Sequence, residues 1–327
     1  MRKLTLAAGL ALAGTTAADE LTVYTYSSFT TDWGPGPEIK SAFEDRCDCT
    51  LNFVSSDDGV SLLNRVRLEG MNTRADVVLG IDDALIEEAR ALELFQAHGI
   101  DWDNYPLAED LDWFDELYAP FDYGYFAFIY DNERIDSPAT SMAELLASDT
   151  SILYQDPRTS TVGQGLMHWM QALYGDNGVD EAWQALAERT VTVTQGWSEA
   201  YGMFQEGEAD YVLSYTTSPA YHMVAEDTDR YQAARFEEGH VAQIEVAAIS
   251  AFTDQPDLAA EFLAFLLDHE AQQILPVTNW MLPVRTDVEL PDAFDRLITP
   301  ERVGYSPADI RDNRQQWIRN WRNAVSQ

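Results

Sequence analysis

The chain of 327 residues carries 20 Lys and Arg against 56 Asp and Glu, a formal net charge of -36, and 46% of its residues are hydrophobic. That apolar share excludes disorder as the main state, and the length suits one large domain or two of ordinary size. So strong a negative charge repels phosphate backbones and anionic headgroups, and neither nucleic acid nor a membrane surface is an expected partner.

Residues 1–18 combine a basic start at Arg2 and Lys3, an apolar run from Leu4 to Gly14, and the small residues Thr16, Ala17 and Ala18. This is the pattern of a secretory signal peptide cleaved before Asp19, and the run is shorter than the ~20 residues that span a bilayer. The mature protein is expected to be exported and soluble. Residues 21–26 (LTVYTY) then read as a buried strand ending in a polar loop at Ser27 and Ser28. Pro37 opens a helix that faces Ile39, Ala42 and Phe43 inward, followed by a strand at 51–54. In an oxidising compartment Cys47 and Cys49 favour a short disulfide, although the single intervening residue strains it; two thiols without nearby His leave a zinc shell incomplete. A helix bearing Val60, Leu63 and Val66, a strand at 75–80 and a helix at 84–92 continue the alternation of a mostly parallel sheet flanked by helices.

Residues 121–130 (FDYGYFAFIY) form a β-prone run long enough to pass between two lobes. Ser141 and Glu144 make a capping box for the next helix. A second α/β series follows: a strand at 151–154, helices carrying Leu166, Met170 and Leu173 and then Trp183 and Leu186, and a strand at 211–215. The run 243–249 is expected to return the chain to the first lobe, where the helix 258–267 packs. Trp317 and Trp321, at i and i+4 of a terminal helix, read as a core-facing stripe. The expected division is therefore residues 19–122 and 243–300 in lobe 1, 123–242 in lobe 2, and C-terminal helices in 301–327 packed on lobe 2.

Ligands of open α/β sheets sit beyond the carboxyl ends of strands, so four strand-to-loop junctions are candidates. Tyr26, Ser27 and Ser28 follow the first strand, and Ser55 to Gly59 join the second to its helix, where Asp58 is equally a helix cap. Asp156 to Gly163 lead into a helix whose start suits an anion or an ordinary N-cap, without the GxxxxGK[ST] pattern of a nucleotide-hydrolysing loop. Ser214 to Tyr221 place hydroxyls and two tyrosines after a strand. Trp197 and Trp280 also stand in polar loops, where plain burial and ligand stacking are both open; flat aromatic faces beside carboxylates fit a planar organic cation. His98, His168, His222, His240 and His269 form no HExxH or metal-ligand spacing, and no G-x-S-x-G elbow occurs, so enzymatic activity is the less favoured class.

The blocks LTVYTYSSFTTDWGPGP, DDGVSLLNRVRLEG, ADVVLGID, PFDYGYFAFIYD, YQDPRTSTVGQGL, VTVTQGWSEAYG, VLSYTTSPAYH and NWMLPV, long and in order over nearly the whole mature chain, resemble the periplasmic thiamine-binding proteins of bacterial ABC importers. The resemblance implies a two-lobed periplasmic-binding-protein-like fold of type II with a ligand cleft between the lobes. It implies a periplasmic monomer without cofactor or catalytic step that captures thiamine, thiamine monophosphate or thiamine diphosphate and delivers it to the permease and ATPase subunits of an importer. Carried over by motif, the expected contacts are Asp58, Gly59, Ser160, Thr161, Trp197, Tyr215, Thr216, Thr217, Ser218, Tyr221 and Trp280, with Tyr26 and Ser27 in addition. Ser27 stands where the family's YTYDSF has an aspartate, so a carboxylate contact there is lost. The aromatic residues would face the rings of the ligand, Asp58 its amino group or charge, and the hydroxyls at 160, 161 and 216–218 its phosphate. A ferric-iron or polyamine protein of the same fold is the nearest alternative. A secreted hydrolase based on His222 or His240, or a thiamine-degrading enzyme with a nucleophilic cysteine, is more distant.

Overall fold

The computed structural model describes residues 19–326; the expected signal peptide lies outside the described residues. In lobe 1, strand β1 (Glu20–Tyr26) leads through helix α1 (Gly36–Cys47) to β2 (Thr50–Ser56), α2 (Gly59–Glu69), β3 (Val77–Asp82), α3 (Ile86–Arg90) and the short β4 (Phe95–Gln96). Strand β5 (Tyr118–Asp131) crosses to lobe 2, where α4 (Met142–Ala147), β6 (Ile152–Gln155), α5 (Thr161–Ala187), β7 (Thr190–Thr194), α6 (Trp197–Gln205), β8 (Tyr211–Tyr215), α7 (Ser218–Ala225) and β9 (Tyr231–Ala233) follow. Strand β10 (His240–Ser250) returns the chain to α8 (Pro256–Leu266), α9 (His269–Thr278) and β11 (Leu282–Pro283), before β12 (Arg302–Val303) and the terminal α10 (Pro307–Val325).

The local reasons are those read in the sequence. Pro37 begins α1, Ser141 caps α4 through the Glu144 amide, and Ser160 caps α5. Helix α5 is broken at Gly175, whose φ of 60° separates the segment of Leu166 and Met170 from that of Trp183 and Leu186. Cys47 and Cys49 are joined in a disulfide at the end of α1.

One sheet runs β2-β1-β3-β10-β5-β8-β6-β7 through the molecule. Its two ends are parallel, β2 with β1 and β3, and β8 with β6 and β7. The two crossover strands at its middle are antiparallel to each other and to β3 and β8, so the sheet is mixed rather than mostly parallel at its centre. β5 pairs with β10 through Tyr118–Tyr125 and with β8 from Phe126 onward. Its length comes from pairing with β10 and then β8 in succession.

Each lobe has its own core. In lobe 1, Leu21, Val23, Val77, Leu79, Phe43, Phe262 and Phe265 are buried together. In lobe 2, Phe128, Leu166, Trp169, Trp183 and Leu213 form the centre, and α10 inserts Trp317 and Trp321 into that same cluster. Helix α10 also reaches lobe 1 through Arg314, which pairs with Glu88 on α3 at 2.6 Å.

Candidate functional site

The ends of β1, β2, β6 and β8 point at one another across the central strands, and a cavity of about 290 Å³ lies between them. Its wall is aromatic: Tyr26, Trp33, Trp197, Tyr201, Tyr215, Tyr221 and Trp280 all line it. Trp197 opens α6, stacks on Tyr201 with ring centroids 4.9 Å apart, and donates from Nε1 to Ser214 Oγ at 2.7 Å. Tyr201 is held in turn by His222, whose Nε2 lies 2.8 Å from the phenol oxygen while Nδ1 lies 2.6 Å from Glu226. Glu226 also accepts from the Tyr221 hydroxyl at 3.1 Å. This chain of bonds fixes Tyr201 and Tyr221 from behind, and Tyr201 in turn supports Trp197. Both nitrogens of His240 are likewise engaged with the backbone, at Phe126 and Phe236.

Two backbone features bring further rings to the cavity. Gly80 in β3 has φ +100°, and a Cβ there would lie 2.2 Å from the Tyr26 ring, so only glycine lets that ring lie on the strand. Trp280 adopts φ 57°, a left-handed conformation costly for a bulky residue. The preceding Asn279 anchors it, with Nδ2 donating to Tyr26 Oη at 2.9 Å and Asp122 Oδ2 at 2.6 Å, and Met281 is buried on the other side. The strained indole then meets Tyr221 edge-on at 5.4 Å.

The floor is acidic. Glu245 of β10 and Asp58 at the start of α2 line the cavity, while Asp122 of β5 and Asp82 of β3, the register neighbours of Glu245, do not line it. All four are buried. Burial raises the Glu245 carboxyl well above its usual range, and the neighbouring Asp122 adds to the effect. Burial likewise raises Asp82, with Asp83 and Asp58 adding to it. It also raises Asp58, against the hydrogen bonds that the latter accepts. Burial pushes Asp122 from 3.8 to about 7. No Arg, Lys or His among the described residues forms an ion pair with Glu245, Asp122 or Asp58. An acid raised in the folded state adds stability that is complete below its unfolded pKa and lost as pH rises through the folded value. Between about pH 4 and pH 8 the Tm is therefore expected to fall, and Asp122→Asn to flatten that fall and raise Tm at about pH 8, as measured by calorimetric melting.

The bacterial extracellular solute-binding protein family model matches residues 34–273. The thiamine-binding periplasmic protein of Escherichia coli K12 is 52% identical over 94% of this chain and 93% of its own, and that of Brucella abortus 49% identical over 95% and 93%. A solved structure titled periplasmic thiamin binding protein superposes with a TM-score of 0.92 at 50% identity, covering 98% of this chain and all of the other. This chain belongs to the bacterial extracellular solute-binding family, among the thiamine-binding periplasmic proteins. A member of this family captures a solute and does not convert it.

In this solute-binding protein, Tyr26, Asp58, Thr161, Trp197, Tyr215, Ser218, Tyr221 and Trp280, all singled out in the sequence, line the cavity together. Ser27, Gly59, Ser160, Thr216 and Thr217 are not among the lining residues. Ser27 donates to the Asp57 carbonyl, and Thr216 and Thr217 are buried at the start of α7, with Thr217 Oγ1 against the Met281 sulfur. Gly59 packs its Cα against Gly80 and Thr161, leaving no room for a side chain.

The hydroxyls expected to await a phosphate are engaged otherwise. Ser160 Oγ donates to Asp58 Oδ2 at 2.8 Å, and Thr161 donates to Oδ1 from both its amide and its hydroxyl at 3.0 Å. The starts of α2 and α5, from opposite lobes, thus share one carboxylate, and Ser61 N donates to the Thr159 carbonyl beside it at 3.1 Å. The physical reason is that a buried carboxylate must be satisfied, and two helix starts supply donors for it. Asp58→Ala is expected to cost about 1–2 kcal/mol in chemical denaturation and to increase the radius of gyration by small-angle scattering, since it removes a cap and the bridge between lobes.

The sequence reading missed Glu245 with its buried neighbour Asp122, and Asn279, Trp33 and Tyr201 on the lining. A signal for the first two existed: single acids inside the long apolar runs of β5 and β10, where a solvated surface cannot account for them.

Proposed function

We propose that this protein captures thiamine in the periplasm and delivers it to the permease and ATPase subunits of an ABC importer. The observation that carries the reading is the juxtaposition of a buried acidic floor, without a basic partner, and a wall of flat aromatic faces. Thiamine is a cation of two flat rings joined by a methylene: its thiazolium charge belongs over Glu245, with Asp122 next to it, and its aminopyrimidine between Trp197, Tyr221, Trp280 and Tyr26. Cation–π contacts of roughly 0.5–2 kcal/mol each would add to the charge attraction. Thiamine monophosphate and diphosphate belong to the same reading, with Thr161 turning its hydroxyl from Asp58 to a phosphate oxygen at the start of α5. Residues 19–122 with 243–300, and residues 123–242, act as halves that close by a hinge in β5 and β10, because the ligand binds the closed form more tightly.

The carboxylate floor also favours a polyamine, the second reading; polyamines gain less from flat rings. Calorimetric titration of ligand-free protein with thiamine, its two phosphates and spermidine separates them. Thiamine is expected to bind with one-to-one stoichiometry and spermidine not to displace it; spermidine binding in preference to thiamine would overturn the assignment.

A further inference from the structure

The cleft floor holds an arrangement that a permanently charged site does not need. Glu245 and Asp122 are cross-strand register neighbours, and both side chains are buried. Three of their four oxygens accept from neutral donors. Gln243 Nε2 donates to Glu245 Oε1 at 3.0 Å, the Tyr26 hydroxyl to Glu245 Oε2 at 2.8 Å, and Asn279 Nδ2 to Asp122 Oδ2 at 2.6 Å. The fourth, Asp122 Oδ1, is buried and has no donor among the described groups. A proton held between the two carboxyls supplies that missing donor.

The groups around the pair reinforce the point. Asp82 of β3 flanks Glu245 on its other side, with Asp83 next to it, and Asp58 faces it from the start of α2. Tyr215 of β8 turns its hydroxyl to Gln243 at 2.9 Å, and β11 meets Asp122 through Pro283, which carries no charge. Arg314 and Arg302 are engaged elsewhere, with Glu88 at 2.6 Å and with Asp83 at 3.3 Å. Two adjacent buried carboxylates amid further acids, with no cation, cannot both ionise at low cost. A cation placed over them reverses that balance.

We infer that Asp122 and Glu245 share one proton in the ligand-free protein and release it to solvent as the cationic ligand binds, which makes the pair the charge-sensing element of the site. This rests on the thiamine reading and deepens it. A neutral ring of the same shape would leave the proton in place and forgo the charge attraction, so the pair selects for positive charge as well as for flatness. The two crossover strands that carry the acids are also those proposed to bend, so neutralisation falls at the hinge.

The test is titration of the mature protein with thiamine in buffers of different ionisation heat. Release of about one proton per thiamine is expected near pH 6, falling toward zero near pH 9, with affinity rising up to about tenfold per pH unit across the lower part of that range. Asp122→Asn and Glu245→Gln each leave a single carboxyl without its rival, and each is expected to abolish the release and flatten the pH profile. A purely structural role would shift Tm and leave the proton count unchanged. Infrared difference spectra of the unsubstituted protein are expected to lose a protonated-carboxyl band on thiamine addition, a readout that does not depend on either variant folding. Thiamine binding with no proton released between about pH 6 and pH 8 would overturn the inference and leave the thiamine assignment standing. No thiamine binding at all would overturn both.

Discussion

Glu245→Lys is expected to weaken thiamine binding by about a thousandfold or more in a protein that still folds. Two unit charges about 4 Å apart interact by about 4 kcal/mol at an effective dielectric of about 20, and each 1.4 kcal/mol is about a factor of ten. The substitution turns the attraction at the centre of the floor into repulsion and supplies a tethered ammonium that occupies the ligand's electrostatic position. Folding is preserved because the new ammonium has Asp122 and Asp82 as register neighbours, acids that have no ion-pair partner of their own in this row. Calorimetry gives the affinity and the melting temperature reports the fold. A loss of less than about tenfold in a folded variant would mean that the acids do not face the ligand.

Trp197→Ala is the second large effect, with thiamine bound at least about tenfold and up to about a hundredfold more weakly. The indole loses its ring face toward the cavity, its stack on Tyr201 and its bond to Ser214, so the wall opens where the ligand is flattest. Because Trp197 is half-buried at a helix start and not in either core cluster's centre, the fold persists. Tyr221→Ala, on the opposite corner against Trp280, is expected to act in the same direction. Unchanged affinity in both variants would remove the stacking argument.

Much of this fold was legible because it follows from local periodicity. The strand 21–26, the helix carrying Val60 and Val66, and the long runs at 121–130 and 243–249 all lie within β1, α2, β5 and β10 of the structure. The antiparallel entry of β10 and β5 was not legible, since strand direction depends on where a distant chain segment returns. Of the aromatic members, Trp197 and Trp280 were readable as large rings in polar loops, whereas Trp33 and Tyr201 were not singled out. Of its acidic members Asp58 was read from its loop, whereas Glu245 and Asp122 stood out only by lying inside the apolar runs of β10 and β5, a weak signal among 56 acids. The pairing of Ser160 with Asp58, 102 residues apart, likewise depends on the lobes coming together. Thr216 and Thr217 show the limit of counting hydroxyls after a strand: the turn into α7 points them into the lobe, whereas Ser218 remains on the cavity.

A crystal structure of the protein saturated with thiamine tests the central claim most directly. One molecule is expected in the cleft, its thiazolium over Glu245 with Asp122 next to it, and its second ring against Trp197 and Tyr221. Thiamine bound outside the cleft, or in it with the charged ring turned away from these carboxyls, would contradict the account.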